Sequence, residues 1–381
     1  MKILHTSDWH IGRQLHGISL LEDQRHILNE IFNLCKNKSV EVLLIAGDIY
    51  DRSVPPANAV ELLDQFLTKV KSELNIPVIL ISGNHDGPER LGFGSNQMKN
   101  SGLHIVGPLQ ENITPTIISD EFGEVFFYGL PYADPVQVRD KYNVDFKNHD
   151  EAMGHLVSLV KDDYSKRKQE RTVVLSHCFI DGAEECESER PLSIGGADRV
   201  SYKHFESFNY TALGHLHGRQ FKGKENIRYS GTPLKYSFSE TKHRKSVTLV
   251  DLKEDGSIEF EQIELSPLRD LRVIEGELND ILEAAKSDQH RDDYIMARIL
   301  DKHAILDLMA KLRAVYPNTL HLERPSLSSD HNIELRKENL KKSEFSMFQD
   351  FFEQVLDEKM NKQQQEYMES VINALHGETR E

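Results

Sequence analysis

Residues 40–51 read VEVLLIAGDIYD, an apolar run of strand length that breaks at Gly47 and delivers Asp48 and then Asp51 just beyond it. Residues 2–10, KILHTSDWH, repeat the arrangement with Asp8 and His10, and residues 77–86, PVILISGNHD, repeat it with Asn84 and His85. Further along, RTVVLSH (171–177) ends in His177, and YTALGH (210–215) ends in His215 with His217 two residues on. Five β-type runs thus each place a metal-competent side chain past the carboxyl end, the rim where open α/β sheets bind ligands. Such residues gathered on one rim predict a single site.

Working outward, LHIVG (103–107), EVFFYGLPY (124–132), NIRYSG (226–231) and KSVTLVDL (245–252) supply further strands. Leu20, Leu21, Gln24, Ile27, Leu28, Ile31, Phe32 and Cys35 recur at helical spacing, as do Ala59, Leu62, Leu63, Phe66, Leu67, Val70 and Leu74 after Pro55-Pro56. Short strands alternating with amphipathic helices predict an α/β fold, a β-sandwich flanked by helices, over residues 1–265. Residues 266–340 change texture: LRVIEGEL, DYIMARILD and NTLHLERPS read as strands and 303–315 as a helix, giving a small α+β domain. Residues 341–381 read as a helical tail, with Phe345, Phe348, Phe351, Phe352 and Val355 in an aromatic stripe.

The chain has 381 residues and a net charge of −16. Such acidity excludes coating nucleic acid through bulk charge, since that binding depends on Lys and Arg neutralising phosphates. It leaves room for a local basic groove, or for metal ions that supply the positive charge. Three cysteines (Cys35, Cys178, Cys186) without a CxxC pair predict a reduced, cytosolic chain lacking disulfides and structural zinc. No apolar run approaches the ~18 residues of a membrane span, and MKILHTSDWHIGRQL is too polar for a signal peptide. The expectation is a soluble intracellular protein with no membrane partner.

Oxygen and imidazole donors without thiolate suit Mn²⁺, Mg²⁺, Fe or Zn, and the histidine share leans away from purely oxygen-liganded Mg²⁺. Seven donors exceed one tetrahedral ion and fit two ions sharing a carboxylate. Two ions ~3.5–4 Å apart clamp the attacking and leaving oxygens of a displacement at phosphorus and acidify the attacking water. No Ser or Cys nucleophile is needed, and metal-assisted phosphate-ester hydrolysis is the predicted chemistry.

In chain order, Asp8-Trp9-His10, Gly47-Asp48-Ile49-Tyr50-Asp51, Gly83-Asn84-His85-Asp86, Ser176-His177 and Gly214-His215-Leu216-His217 resemble the calcineurin-like metallophosphoesterase superfamily. The longer pieces HTSDWHIGRQL, GDIYDRSVPP, SGNHDGPERLG, SHCFIDGAEECESERPLSIGGADRV and RYSGTPLKYSFSE look like the SbcD family. That family comprises nuclease subunits of a bacterial double-strand-break repair complex formed with the ATPase SbcC. The likeness has motif detail up to about residue 265 and is one of layout beyond. It implies two divalent ions, Mn²⁺ before Mg²⁺: one held by Asp8, His10 and His217, the other by Asn84, His177 and His215, with Asp48 bridging. It gives His85 a catalytic role, stabilising the transition state at the substrate phosphate and protonating the leaving oxygen. The implied activities are 3′-to-5′ exonuclease on duplex DNA and endonuclease at hairpins and single strands.

The implied partners are DNA, as duplex ends and hairpins, and an SbcC-type coiled-coil ATPase. The protein would be a homodimer within a heterotetramer, paired through the apolar faces of its first two helices, in the cytoplasm and on the nucleoid when bound to DNA. ATP hydrolysis falls to the partner, because the chain has no GxxxxGK[ST] loop. The aromatic tail suits helix-in-groove docking on that partner. Archaeal and eukaryotic relatives carry histidine where this chain has Asp51, which becomes a candidate acceptor supporting His10 or His85.

Other features carry less. Arg13, Arg52, Arg90, Lys222, Lys224, Arg228, Lys235 and the run Lys242-His243-Arg244-Lys245 are candidates for tracking DNA phosphates. The acidic stretch from Glu184 to Glu189 reads as a loop that repels DNA or as a soluble insertion. His5, His16, His104 and His204 read as ordinary polar or packing residues, and Trp9 as packing under the metal site. The rival readings are a metallophosphatase or phosphodiesterase on a small molecule or phosphoprotein, and a non-catalytic DNA-end tether.

Overall fold

Two six-stranded sheets make up the body of residues 1–270. In the first, Lys2–Thr6, Val42–Ala46, Val78–Ile81 and Leu103–Val106 lie side by side and parallel, and Ser246–Leu252 and Ile258–Glu264 extend it antiparallel beyond Lys2–Thr6. In the second, the parallel strands are Lys224–Tyr229, Tyr210–Gly214, Thr172–His177 and Gly123–Leu130, with Gln220–Lys222 and Thr116–Asp120 antiparallel at the edges. The computed structural model describes all residues apart from 168–170, 190–197, 304, 326–343, 357 and 378–381, and only the backbone of 344, 347, 351, 354–356 and 373–377.

Successive strand side chains point to opposite faces, which decides what each sheet buries. Ile3, Val42, Leu44, Ile79 and Ile81 of the first sheet meet Val125, Phe127, Val173, Leu175 and Tyr210 of the second in one buried layer. Leu4, Leu43, Ile45 and Leu80 point the other way and are also buried. The helices Leu21–Asn37 and Ala57–Lys69 bury Ile27, Ile31, Phe32, Leu62 and Phe66. On the second sheet, Phe126, Tyr128, Leu130 and Val174 pack with Met153, Leu156, Val157 and Val160 of the His149–Arg167 helix. Burial on both faces is why the central strands read as unbroken apolar runs. The fold is the expected β-sandwich flanked by helices.

Residues 271–381 form a second compact unit. Leu271–Gly276, Tyr294–Ile299 and Thr319–Glu323 make a parallel three-stranded sheet. Parallel strands need long crossovers, and the helices Leu278–Ala284 and Leu308–Val315 supply them, burying Leu278, Ile281 and Leu312 with Ile295, Ala297 and Ile299. The segment LRVIEGEL is therefore a strand only as far as Gly276, and its last residue, Leu278, opens the first of these helices. The second helix is shorter than 303–315 because Asp307, at φ 54, starts it. The tail is two helices, Glu344–Leu356 and Lys362–Gly377, with Phe345, Phe348 and Phe352 half-buried. The side chains of Phe351 and Val355 lie outside the described residues. Among the described residues no helix is long and apolar enough to cross a membrane.

Candidate metal centre

Each parallel strand that carries a candidate hands it to the same rim. Lys2–Thr6 leads into Asp8 and His10, Val42–Ala46 into Asp48, Val78–Ile81 into Asn84 and His85, and Tyr210–Gly214 into His215 and His217, while Thr172–His177 ends in His177 itself. The turns after the strands are sharp: Asp8, His10, Asp48 and His215 adopt φ 54, 45, 49 and 106. That region costs a non-glycine residue about 1–3 kcal/mol and persists where the surroundings impose it, often at functional sites. Two glycines permit the close approach of the loops. A Cβ on Gly214 would overlap the Ala46 carbonyl oxygen, and one on Gly83 would overlap the Asp48 carboxylate.

The side chains converge in two sets. His10 Nε2 lies 3.2 Å from His217 Nε2. Opposite, Asn84 Oδ1 lies 2.9 Å from His177 Nε2 and 3.2 Å from His215 Nδ1. Asp48 stands between the sets, with Oδ2 3.7 Å from His10 Nε2 and 3.5 Å from His177 Nε2. Asp8 accepts the His215 amide through Oδ1 at 2.9 Å, and its Oδ2 is buried with no hydrogen-bond partner. Asp8, Asp48 and His177 bring ligand atoms within 4.8 Å of one another. Facing imidazole nitrogens, an orphaned carboxylate oxygen and a donor set of only nitrogen and oxygen fit divalent cations.

Burial sets the protonation of these groups. It drives His10 well below its ordinary value, His215 down to about 3 and His217 down to about 4, so all three are neutral near pH 7. Neutral imidazole is the form that ligates a metal. Burial also pushes Asp8 up to about 8, against the pull of His177. At Asp48 the upward push of burial is outweighed by His177 and His10, which keep its carboxyl well below the usual range. Burial alone would lower His177, but Asp48 holds it up at about 9. The two shifts are two sides of one contact, the attraction between the Asp48 carboxylate and the His177 ring.

His85 lies at the mouth, its side chain 11% exposed, with Nε2 4.0 Å from Asp48 Oδ2. Its Nδ1 donates to the Asp51 main-chain carbonyl at 2.9 Å, which fixes the ring and its tautomer. The Asp51 carboxylate accepts from Arg13 at 3.0 Å, and it also groups with His10 and His85, the three bringing ligand atoms within 4.8 Å of one another. It stands 3.9 Å from His10 Nδ1, beyond hydrogen-bond reach.

Known proteins identify the family. A model described as calcineurin-like phosphoesterase matches residues 1–219, and one described as type 5 capsule protein repressor C-terminal domain matches residues 267–355. A Staphylococcus saprophyticus protein, named as the SbcD component of the nuclease SbcCD, is 35% identical over 98% of each chain. Its Staphylococcus epidermidis namesake is 33% identical, again over 98% of each chain. The chain belongs to the SbcD family of calcineurin-like phosphoesterases. It is accordingly a hydrolase of phosphate esters, and the family described by the first model is one of metal-dependent enzymes.

Several residues around this SbcD-type site escape a reading of the sequence. Asp86 accepts the amides of Ile49, Tyr50 and Gly83 at 3.1, 2.9 and 2.9 Å, tying the Asp48 loop to the Asn84 loop. Its position inside SGNHD is a usable signal. Gln24, which the periodicity assigns to a helix face, donates to the His10 carbonyl at 2.7 Å and accepts from Gly12 at 3.0 Å. The acidic loop is more than a soluble insertion, because Glu189 accepts the His217 amide at 2.6 Å. Three basic candidates for phosphate contact are structural instead. Arg228 is buried over the Phe260 ring at 3.8 Å, Lys235 pairs with Asp270 at 2.8 Å, and Lys245 is buried against Glu240. Arg52, Arg90, Lys224, Lys242 and Arg244 remain exposed.

Proposed function

We propose that this chain is the nuclease subunit of an SbcC–SbcD-type complex, cutting duplex DNA from its ends in the 3′-to-5′ direction and opening hairpins and single strands. The convergence of Asp8, His10, Asn84, His177, His215 and His217 about Asp48, on the rim of both sheets, supports this reading. Divalent ions, Mn²⁺ before Mg²⁺, held by Asp8, His10 and His217 and by Asn84, His177 and His215 with Asp48 shared, would supply Lewis acidity to the phosphoryl group and an acidified water. The chain's own groups do the rest. His85, held through Nδ1 by the Asp51 carbonyl, presents Nε2 at the mouth; as the imidazolium, with a proton on each nitrogen, it would donate from Nε2 to a phosphoryl oxygen and pass that proton to the departing sugar oxygen, leaving the neutral Nδ1–H ring. Arg13, which binds Asp51 and lies 5.1 Å over the Tyr236 ring, braces that wall of the mouth.

The assembly reading rests on two surfaces. An apolar groove of about 480 Å³ is lined by Val60, Leu67, Phe93 and Met98 among others, and Phe93 is 83% exposed. A second copy of the chain covers it in the homodimer. Residues 266–340 then act as a capping domain on DNA, and residues 341–381 dock Phe345, Phe348 and Phe352 on the ATPase coiled coil. The setting is the cytoplasm, with nucleoid association when DNA is bound.

The test is digestion of a hairpin duplex with Mn²⁺, with and without the coiled-coil ATPase and ATP. Cleavage is expected with Mn²⁺ and is lost on chelation. His85→Gln is expected to fold and bind Mn²⁺ while cleaving about 10²–10⁴ times more slowly. Wild-type rates in that variant would remove His85 from the chemistry. Hydrolysis of a chromogenic phosphodiester that oligonucleotides fail to inhibit would mark a small-molecule enzyme instead.

A further inference from the structure

His217 is gripped from behind by charged groups that take no part in the chemistry above. Ser188 Oγ lies 2.6 Å from His217 Nδ1 and hydrogen-bonds Glu240 Oε1, which is itself 3.6 Å from that nitrogen. The other Glu240 oxygen accepts from Lys245 Nζ. Lys245 also donates to the His217 carbonyl at 2.9 Å and to Thr232 Oγ1 at 2.6 Å. Glu240 is 0% and Lys245 8% exposed.

The direction of the hydrogen bonds follows from the donor inventory. A carboxylate paired with an ammonium only accepts, so Ser188 donates to Glu240. Its oxygen is then left to accept, so the hydrogen between it and His217 sits on Nδ1. That places the lone pair on Nε2, the atom facing His10 Nε2 at 3.2 Å. Burying an ion pair seldom adds stability over an apolar pair of the same volume. Fixing the ring and tautomer of a ligand is what such outer partners accomplish.

We propose that Ser188, Glu240 and Lys245 form a buried positioning relay that holds His217 as its Nδ1–H tautomer and presents Nε2 to a divalent cation. The relay rests on the reading of His217 as a metal ligand. No local motif marks it, since by sequence Lys245 belongs to a basic run and Ser188 to an acidic loop.

The experiment titrates Mn²⁺ into the full chain by calorimetry and electron paramagnetic resonance, alongside metal-free melting. Ser188→Ala cuts the relay without unbalancing charge, and Glu240→Gln with Lys245→Met removes the ion pair together. Each is expected to weaken one of two Mn²⁺ sites by about 10–100-fold and to leave the other unchanged. Ser188→Thr is expected to restore binding, which a merely structural role would not require. Unchanged affinity at both sites, or equal weakening of both, overturns the relay. Nitrogen chemical shifts of the wild-type histidines decide the matter whether or not a variant folds, since an Nε2–H tautomer at His217 overturns it. If His217→Ala leaves both wild-type Mn²⁺ sites intact, the metal-centre reading fails and the relay with it. Two-site binding that needs His217 but ignores Ser188→Ala sinks the relay alone.

Discussion

His5 sits three residues before Asp8 and shares none of its chemistry. It lies within the Lys2–Thr6 strand, fully buried, with Nδ1 2.8 Å from the Tyr210 hydroxyl and Nε2 3.2 Å from the Leu213 carbonyl. Burial drives its imidazole down to about 3, partly opposed by the bond to Leu213. A histidine whose folded value lies below its unfolded one is protonated preferentially in the unfolded chain. Its contribution is therefore intact above about pH 6.5 and is lost as pH falls toward 3, at up to about 1.4 kcal/mol per pH unit. His5→Gln is expected to flatten the pH dependence of denaturant-unfolding free energy by that amount between pH 6 and 4. An unchanged slope would mean that the buried ring is already charged. Position separates His5 from His10: a residue inside a strand packs, while one past its carboxyl end reaches the rim.

The contact between the two sheets at the rim turns on Gly214, whose missing Cβ leaves space for the Ala46 carbonyl. Gly214→Ala is expected to destabilise the core by about 1–3 kcal/mol through overpacking and to weaken Mn²⁺ binding as His215 shifts. Melting measured with and without Mn²⁺ checks both effects. A variant as stable as wild type would mean that the sheets part there at no cost. The five strands that lead to the rim were legible because each has a buried, mainly apolar centre and runs into a glycine, polar or candidate-donor residue. The edge strands Thr116–Asp120 and Ile258–Glu264 were not, since they are half-exposed and the second carries Glu259, Glu261 and Glu264. The candidate donors at the rim were legible for the same local reason. Ser188 and Glu240 were hidden because they meet across 52 residues of chain, and nothing near either residue marks the encounter.

Across the whole molecule, a net charge of −16 makes DNA affinity a matter of local charge and of shared subunits. Nine acidic and three basic residues lie between Ser343 and Glu381, the end assigned to a protein partner. Truncation after Lys342 is expected to retain metal-dependent hydrolysis of a chromogenic phosphodiester and to abolish co-elution with the coiled-coil ATPase. Undiminished co-elution would move the docking site off the tail. At the apolar groove, Phe93→Glu is expected to leave a monomer by light scattering, with Mn²⁺ binding unaffected. A dimer that survives the charge would place the interface elsewhere.

The donors come from both layers of the sandwich: Asp8, His10, Asp48 and Asn84 follow strands of one sheet, and His177, His215 and His217 those of the other. An ion shared between them, as proposed, would be a cross-link whose affinity exists only while the layers are closed. Its occupancy is therefore a term in the folding equilibrium, about 2.7 kcal/mol per site at one hundred times its dissociation constant. Linkage runs in both directions, so with metal held as proposed, a strain that levers the layers apart at the rim would release it, and the supply of metal would govern how firmly the nuclease core holds together.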